Sequence, residues 1–383
     1  MKKINISKTI LKTKWLTLLI VAIILIVLGR TVVSVALTKS STVIGIGIDF
    51  FDGEFTVTTQ SVVVSGGANA GNGSTLSYVL FTEKGKTLAQ ATDRIKQKAG
   101  LTLTLSHCNL VIMSKSVLQL NHLHLIEPLV KTLALPEQAI VVTSSESPQK
   151  LLSQNLPTTT AVPFYLQSAL IENSGSDGIV RLTVKDFLVK SCSRSNGLIM
   201  PYVEILPLED KPLGQTTDAD FIKLKLNKSL VFNSNSSAVL DEELSQVVAF
   251  YNSDASFGCI DVELETGECV EFKVLKNTKK SKVENMLVKT EIKLSVSYVE
   301  TQNAKTNEVI SSSADVVVKA GELLSQKLTK NLFKCYEFSV EKDIDFLELE
   351  NLVYQKVGRT LEEHCLQSIS FLPTVKVDIK ENA

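Results

Sequence analysis

This chain of 383 residues has almost no net charge: 40 basic side chains face 41 acidic ones, a formal net charge of −1. Aromatic residues are scarce at 6%, with a single tryptophan, Trp15. Phosphate binding needs a basic surface, so this balance excludes nucleic acid as the main partner. No cysteine precedes Cys108, so the acceptor a lipoprotein needs just after its apolar leader is absent. No CxxC pair occurs either, which removes zinc-ribbon and thioredoxin-like chemistry. No Walker lysine follows the glycines at 66–73, and Gly45-x-Gly47 lacks a third glycine and a helix start, so nucleotide signals fail. No internal repeat of fixed period stands out.

The leader is the strongest signal present. Trp15 to Gly29 reads WLTLLIVAIILIVLG, fifteen residues without a charge, preceded by five lysines. Positive charge before an apolar stretch holds that end in the cytoplasm and exports the body. Fifteen helical residues reach about 22 Å, short of the roughly 30 Å hydrocarbon core. Extension to Thr38 gives the length but includes Arg30, whose head must snorkel. Trp15, Leu16, Leu19, Ile20, Ile23, Ile24, Leu25, Leu28 and Gly29 form this expected anchor. A cleaved signal peptide, with Ser34-Val35-Ala36 as its small-x-small site, is the competing reading. The run is at the upper limit for a signal-peptide core and Arg30 interrupts the approach to that site, which favours an uncleaved anchor. Residues 1–41 hold seven basic residues and no acid, so the body that follows carries a net charge of −8.

The body reads as α+β: three domains of mixed or antiparallel sheets packed with helices, after the N-terminal membrane segment. The expected divisions are a leader over 1–41, then 42–205, 206–280 and 281–383. Val43–Ile48 and Glu54–Val64 form a hairpin about Asp52-Gly53. Residues 65–74 form a glycine-rich loop, and a strand spans Leu76–Thr82. Thr87 and Gln90 have capping-box spacing for a helix from Leu88 to Ala99, stopped at Gly100. One strand is expected over Leu101–Met113, a helix over Val117–Leu133, and a buried strand over Gln138–Thr143. Helices open at Ser147-Pro148 and near Pro163. Residues 193–217, with three prolines, read as a linker with one extended segment.

Alternation is clearer in the second half. Ile222, Leu224 and Leu226 mark a half-buried strand, and Leu240–Ser253 a helix. A hairpin turns at Thr266-Gly267-Glu268, pairing Leu264 with Val270 and Val262 with Phe272. Lys276–Lys282 reads as a solvated turn between domains. Val288, Ile292, Leu294, Val296 and Tyr298 share one face of a long antiparallel strand. Val317, Ala320, Leu324, Leu328 and Leu332 recur at helical steps from Ala314 to about Glu337. A helix over Ile344–Val357 and a strand through Val375, Val377 and Ile379 close the chain.

Candidates for chemistry are few. His107-Cys108 suggests a thiol nucleophile, but strand alternation points the two apart. His122 and His124 are two apart without a third ligand. Glu362, Glu363, His364 and Cys365 read as a solvated helix face. The six cysteines (Cys108, Cys192, Cys259, Cys269, Cys335, Cys365) read as free, partly buried thiols, and the hairpin register keeps Cys259 and Cys269 unbonded. The residues therefore assign no enzyme activity, no cofactor, no metal and no small-molecule site.

VIGIGIDF at 43–50, GKTLAQA at 85–91, LTLSHCNLVIMS at 103–114 and SPQKLLS at 147–153 resemble, in order, the N-terminal half of the Ger(x)C spore germination proteins. LNKSLVFNSNSSAVLDEEL, DFLELENLVYQKVGRTLEEH and LPTVKVDIK are similar to segments of the family's C-terminal half. The motif positions are Gly45, Gly47, Asp49, Gly85, Thr87 and His107. The resemblance implies the C subunit of a nutrient germinant receptor, three α+β domains without catalytic activity, seated on the outer face of the inner spore membrane. It implies two integral-membrane receptor subunits as partners and a role in assembly or signalling. The family begins as a lipoprotein, and here a helical anchor would replace the missing cysteine. An anchored extracytoplasmic solute-binding protein and an anchored hydrolase are the alternatives.

Overall fold

The computed structural model describes residues 19–23 and 40–380, except 65–75, 101, 121–126, 129, 132–133, 157–160, 173–178, 196, 208–221, 253–257, 304–305, 307 and 359–364. The expected anchor lies outside the described residues apart from 19–23. Those five are helical, with Leu19, Ile20, Val21 and Ile23 exposed. Among the described residues no helix is long and apolar enough to cross a membrane. The loop expected over 65–74 also lies outside them.

Strands β1 (Ser40–Phe51) and β2 (Glu54–Val64) form the expected hairpin. Asp52 and Gly53 take φ of 53° and 76°, the two-residue turn whose twist matches the strands it joins. β3 (Leu76–Gly85) pairs antiparallel with β2, and α1 (Leu88–Ala99) follows. The Thr87 hydroxyl accepts the Gln90 N–H at 3.1 Å, while the Gln90 carboxamide accepts from Lys86, one residue outside a true capping box. Gly100, at φ 63°, ends the helix.

The single strand expected over Leu101–Met113 is two. β4 (Thr102–Thr104) and β5 (Leu110–Met113) lie one after the other along the same edge of β1, both parallel to it. A turn between them, with Cys108 N–H on the Leu105 carbonyl at 2.8 Å, breaks the alternation. The helix expected over Val117–Leu133 begins as a single turn, α2 (Lys115–Leu118), capped by Ser114. β6 (Ile140–Ser144), α3 (Pro148–Leu152), α4 (Val162–Glu172) and α5 (Val184–Ser191) come next.

The expected linker is overturned. Its centre is β7 (Leu198–Pro207), buried without interruption from Leu198 to Val203. A strand buried on both faces reads as a continuous apolar run rather than an alternating one, and its prolines imitate a linker. β7 pairs antiparallel with β8 (Ile222–Phe232), which pairs with β9 (Ser237–Leu240). The sheet therefore runs β3-β2-β1-β5-β6-β7-β8-β9, with β4 beside β1, across the division expected at 205/206. Val111 and Met113 pack under α1 and α5 with Ile95 and Phe187, while Leu110 and Ile112 pack on the other face with Leu151 and Leu166.

A second sheet follows α6 (Glu242–Asn252) and is ordered β10 (Cys259–Glu263), β11 (Glu268–Glu284), β12 (Leu287–Asn303), β13 (Val309–Ile310). The hairpin about Gly267 forms, but its register is two residues from the expected one: Val262 faces Val270 and Ile260 faces Phe272. The turn takes in Leu264, whose carbonyl accepts the Gly267 N–H, and a two-residue slide keeps the same faces inward. Lys276–Lys282 is not a turn but the middle of β11, so the division expected at 280/281 falls inside a strand. A bulge between Val274 and Lys276 breaks the alternation there and disguises the strand.

The long helix α7 (Ala314–Lys342) buries Ala320, Leu324, Leu328, Leu332 and Cys335 against this sheet. α8 (Leu349–Val357) begins later than expected, because residues 344–347 make an irregular turn between Asp343 and Glu348, both left-handed at φ 54° and 58°. β14 (Ser370–Lys380) returns beside β12 and runs parallel to it, whereas β11 and β13 pair with β12 antiparallel.

Candidate functional site

Five of the six motif positions build the fold. A Cβ on Gly45 would lie 2.4 Å from Pro163 Cγ, and one on Gly47 2.7 Å from Pro148 Cβ. Both prolines stand in the first turns of helices, where a missing N–H costs nothing. The paired glycines thus let α3 and α4 rest directly on the β1 backbone. Asp49 Oδ1 accepts the Phe50 N–H at 2.8 Å and the Ser116 hydroxyl at 3.1 Å, tying the end of β1 to α2. A Cβ on Gly85 would meet the Ala91 nitrogen at 2.5 Å, and Thr87 caps the same helix. His107 stands exposed in the β4–β5 turn.

Cys108 is buried, and its thiol donates to the Leu110 carbonyl at 3.3 Å. Burial pushes that thiol up to about 12, outweighing its backbone hydrogen bonds. It points away from the exposed His107, so this pair makes no nucleophile and base. Cys335 is raised to about 12, first by burial and then by Asp241. The more exposed Cys259 is raised chiefly by its hydrogen bond with Glu271, and Cys269 by burial and then Asp261. All six cysteines are free, and the described residues hold no cluster of three metal-ligating side chains. His122, His124, Glu362, Glu363 and His364 lie outside the described residues.

Sequence reasoning missed a buried, heavily bonded carboxylate. Asp345 is fully buried and accepts the Ser195 hydroxyl at 2.7 Å and the N–H groups of Leu349 and Glu350 at 2.9 and 2.8 Å. Glu350, also buried, accepts the Leu366 N–H at 2.9 Å. Burial raises Asp345 to about 6; its hydrogen bonds oppose this and the Glu350 charge adds to it. Around this centre the 343–348 turn is gripped by the first sheet's side of the molecule. Asn233 donates to the Asp343 carbonyl at 2.8 Å, Lys190 pairs with Glu348 at 2.6 Å, and the Arg194 guanidinium lies 4.8 Å from the Tyr354 ring centre. A Cβ on Gly197 would meet the Asp345 backbone at 2.6 Å. Chemically this is an interlock: the carboxylates face backbone amides and a hydroxyl inside the protein. Only the spacing of Asp345 before the apolar start of α8 hinted at a cap, and nothing in the sequence pointed to Ser195.

The class follows from this geometry: an α+β protein of two mixed sheets joined through a buried carboxylate socket, whose motif residues serve packing. Residues 34–205 match the family described as the spore germination protein N-terminal domain. Over these residues the chain is similar to the spore germination proteins. The crystal structure of the GerBC protein is similar in fold, with a TM-score of 0.50 at 12% identity, covering 88% of this chain and 97% of that one. No match to a curated protein was found.

Proposed function

We propose that the chain is a membrane-tethered, non-enzymatic C subunit of a germinant receptor, contributing to assembly or signalling in nutrient-induced germination. The match over residues 34–205 carries this reading. The use of Gly45, Gly47, Asp49, Gly85 and Thr87 for packing supports it, because it leaves the family motif as a scaffold rather than a reaction centre. The body stands on the outer face of the cytoplasmic membrane, which in the spore is the inner membrane, beside two integral-membrane subunits. The leader holds it there as an uncleaved helix. A solute-binding protein would need two similar lobes about a cleft, and the two sheets differ in order and in strand direction.

Deleting the protein in a sporulating host abolishes the response to one nutrient mixture and leaves receptor-independent germination unchanged. Normal nutrient germination in that strain, with no paralogue compensating, overturns the reading. The tether is checked separately. The mature protein keeps Met1 or Lys2 and stays with membranes after high-salt washing, whereas an N-terminus at Leu37 refutes the anchor.

A further inference from the structure

Among the described residues, the five-stranded sheet is covered on one face only. Its helices pack on the side that holds Val274, Ile292, Leu294 and Val375. On the opposite side, strand pairing gathers lysines from three separate segments. β11 contributes Lys273, Lys276, Lys280 and Lys282, all exposed, opposite Ser297, Ser295, Glu291 and Lys289 of β12. β12 adds Lys289 and Lys293. β14, in parallel register, sets Lys376 beside Lys293 and Lys380 beside Ser297.

The acids of the same rows are already engaged. Glu284 holds Lys289 at 2.5 Å, Glu291 holds Lys376 at 2.6 Å and Lys293 at 3.4 Å, and Asp378 holds Lys380 at 2.6 Å. The four β11 lysines make no ion pair with a described residue. Eight lysines against three acids thus form a positive surface on a body whose net charge is −8. Lys279 is not part of it; its ammonium lies 3.9 Å from the Tyr251 ring centre, towards the covered face. Towards β10 the same wet face turns acidic, with Asp261, Glu271 and Glu300 in one row.

We propose that the lysine-bearing half of this face rests on anionic lipid headgroups, with the acidic half held off the bilayer. The residue chemistry favours lipid over an acidic protein segment. All eight cations are lysines, hydrated point charges on flexible stems, with no arginine fork to read a carboxylate in two-pronged fashion. The lysines spread over three strands rather than line a pocket, and exposed Leu372 sits in the same row as Lys282 and Lys289. Juxtamembrane lysines attract an anionic leaflet at about fivefold in binding each. The inference rests on the membrane-tethered reading and adds the orientation of the body.

The full chain is reconstituted into vesicles of about 30 mol% phosphatidylglycerol in phosphatidylcholine, and into pure phosphatidylcholine, then labelled with an amine-reactive reagent and mapped by mass spectrometry. At about 0.1 M salt, labelling of Lys280, Lys282 and Lys293 falls about fivefold or more in the anionic vesicles; Lys86 and Lys185, on other surfaces, are unchanged. At about 1 M salt, where the screening length is about 3 Å, the difference disappears. Lys280→Glu with Lys282→Glu restores labelling at Lys293 in anionic vesicles, with an unchanged circular dichroism spectrum. Equal labelling in the two lipids overturns the proposal. So does protection that appears only in native membranes and ignores phosphatidylglycerol, which identifies an acidic protein contact instead. Neither outcome bears on the germination role, which the deletion strain tests alone.

Discussion

The two sheets of this protein solve burial in opposite ways. The first is sandwiched: α1 and α5 cover one face and α3 and α4 the other, and β5 and β6 are buried along their whole length. The second is single-sided, with α6, α7 and α8 on one face and a row of charges on the other. A sandwiched sheet can be altered only at the cost of packing, so its motif residues report on architecture. A single-sided sheet leaves half its side chains free for a partner. The first sheet thus serves as scaffold, and the second keeps an exposed, charged face among the described residues.

Overpacking the sandwich breaks that comparison most severely. Gly45→Val drives methyl groups into Pro163 and lowers stability by about 3 kcal/mol or more, read as a lower urea midpoint. A wild-type midpoint would mean that α4 can lift off β1 and that the first sheet is no tighter than the second.

The socket between the sheets comes next. Asp345→Ala strands the Leu349 and Glu350 N–H groups and the Ser195 hydroxyl inside the protein, and costs about 3 kcal/mol. Its pH behaviour is the sharper test. The folded chain holds the Asp345 proton more tightly than the unfolded chain, with a pKa raised from 3.8 to about 6. Its contribution therefore declines as pH rises from about 4 to about 6, by about 3 kcal/mol in total, and is flat above. Asp345→Asn removes that decline, measured as urea midpoints across this range. An unchanged slope would show that Asp345 is solvated.

Smaller effects sharpen the contrast. Thr87→Ala removes the α1 cap and costs about 1 kcal/mol by thermal unfolding. Cys108→Ala trims a buried thiol for about 1 kcal/mol and leaves nutrient germination intact. A complete loss of germination with the fold preserved would reopen the nucleophile reading. On the wet face, Lys280→Ala shifts stability by less than about 0.5 kcal/mol. A large loss there would mean that the second sheet is covered after all.

Legibility followed periodicity. β2 and α1 agree with their expected bounds because an Asp-Gly turn, an N-cap threonine and a C-terminal glycine mark their ends locally. α7 was readable because one apolar stripe serves one partner sheet. β7 was not, because burial on both faces erases alternation and Pro201 and Pro207 suggest a linker. The middle of β11 was hidden by a bulge and by lysines that any solvated turn would also carry. The motif residues were legible as positions, but that Gly45 answers Pro163, more than a hundred residues away, was not.

Sequence alone determined what depends on neighbours along the chain: an apolar leader after lysines, an α+β body, the capped helices, the tight hairpin, and the order of motifs that marks the family. Tertiary structure alone decided what depends on pairing across the chain. It joined β7 to β8 into one sheet, buried Asp345 against Ser195, and brought Lys280, Lys293 and Lys376 onto a single face. The reason is physical: capping and turn preferences act within a few residues, whereas strand register and desolvation are set by partners that the linear order does not name.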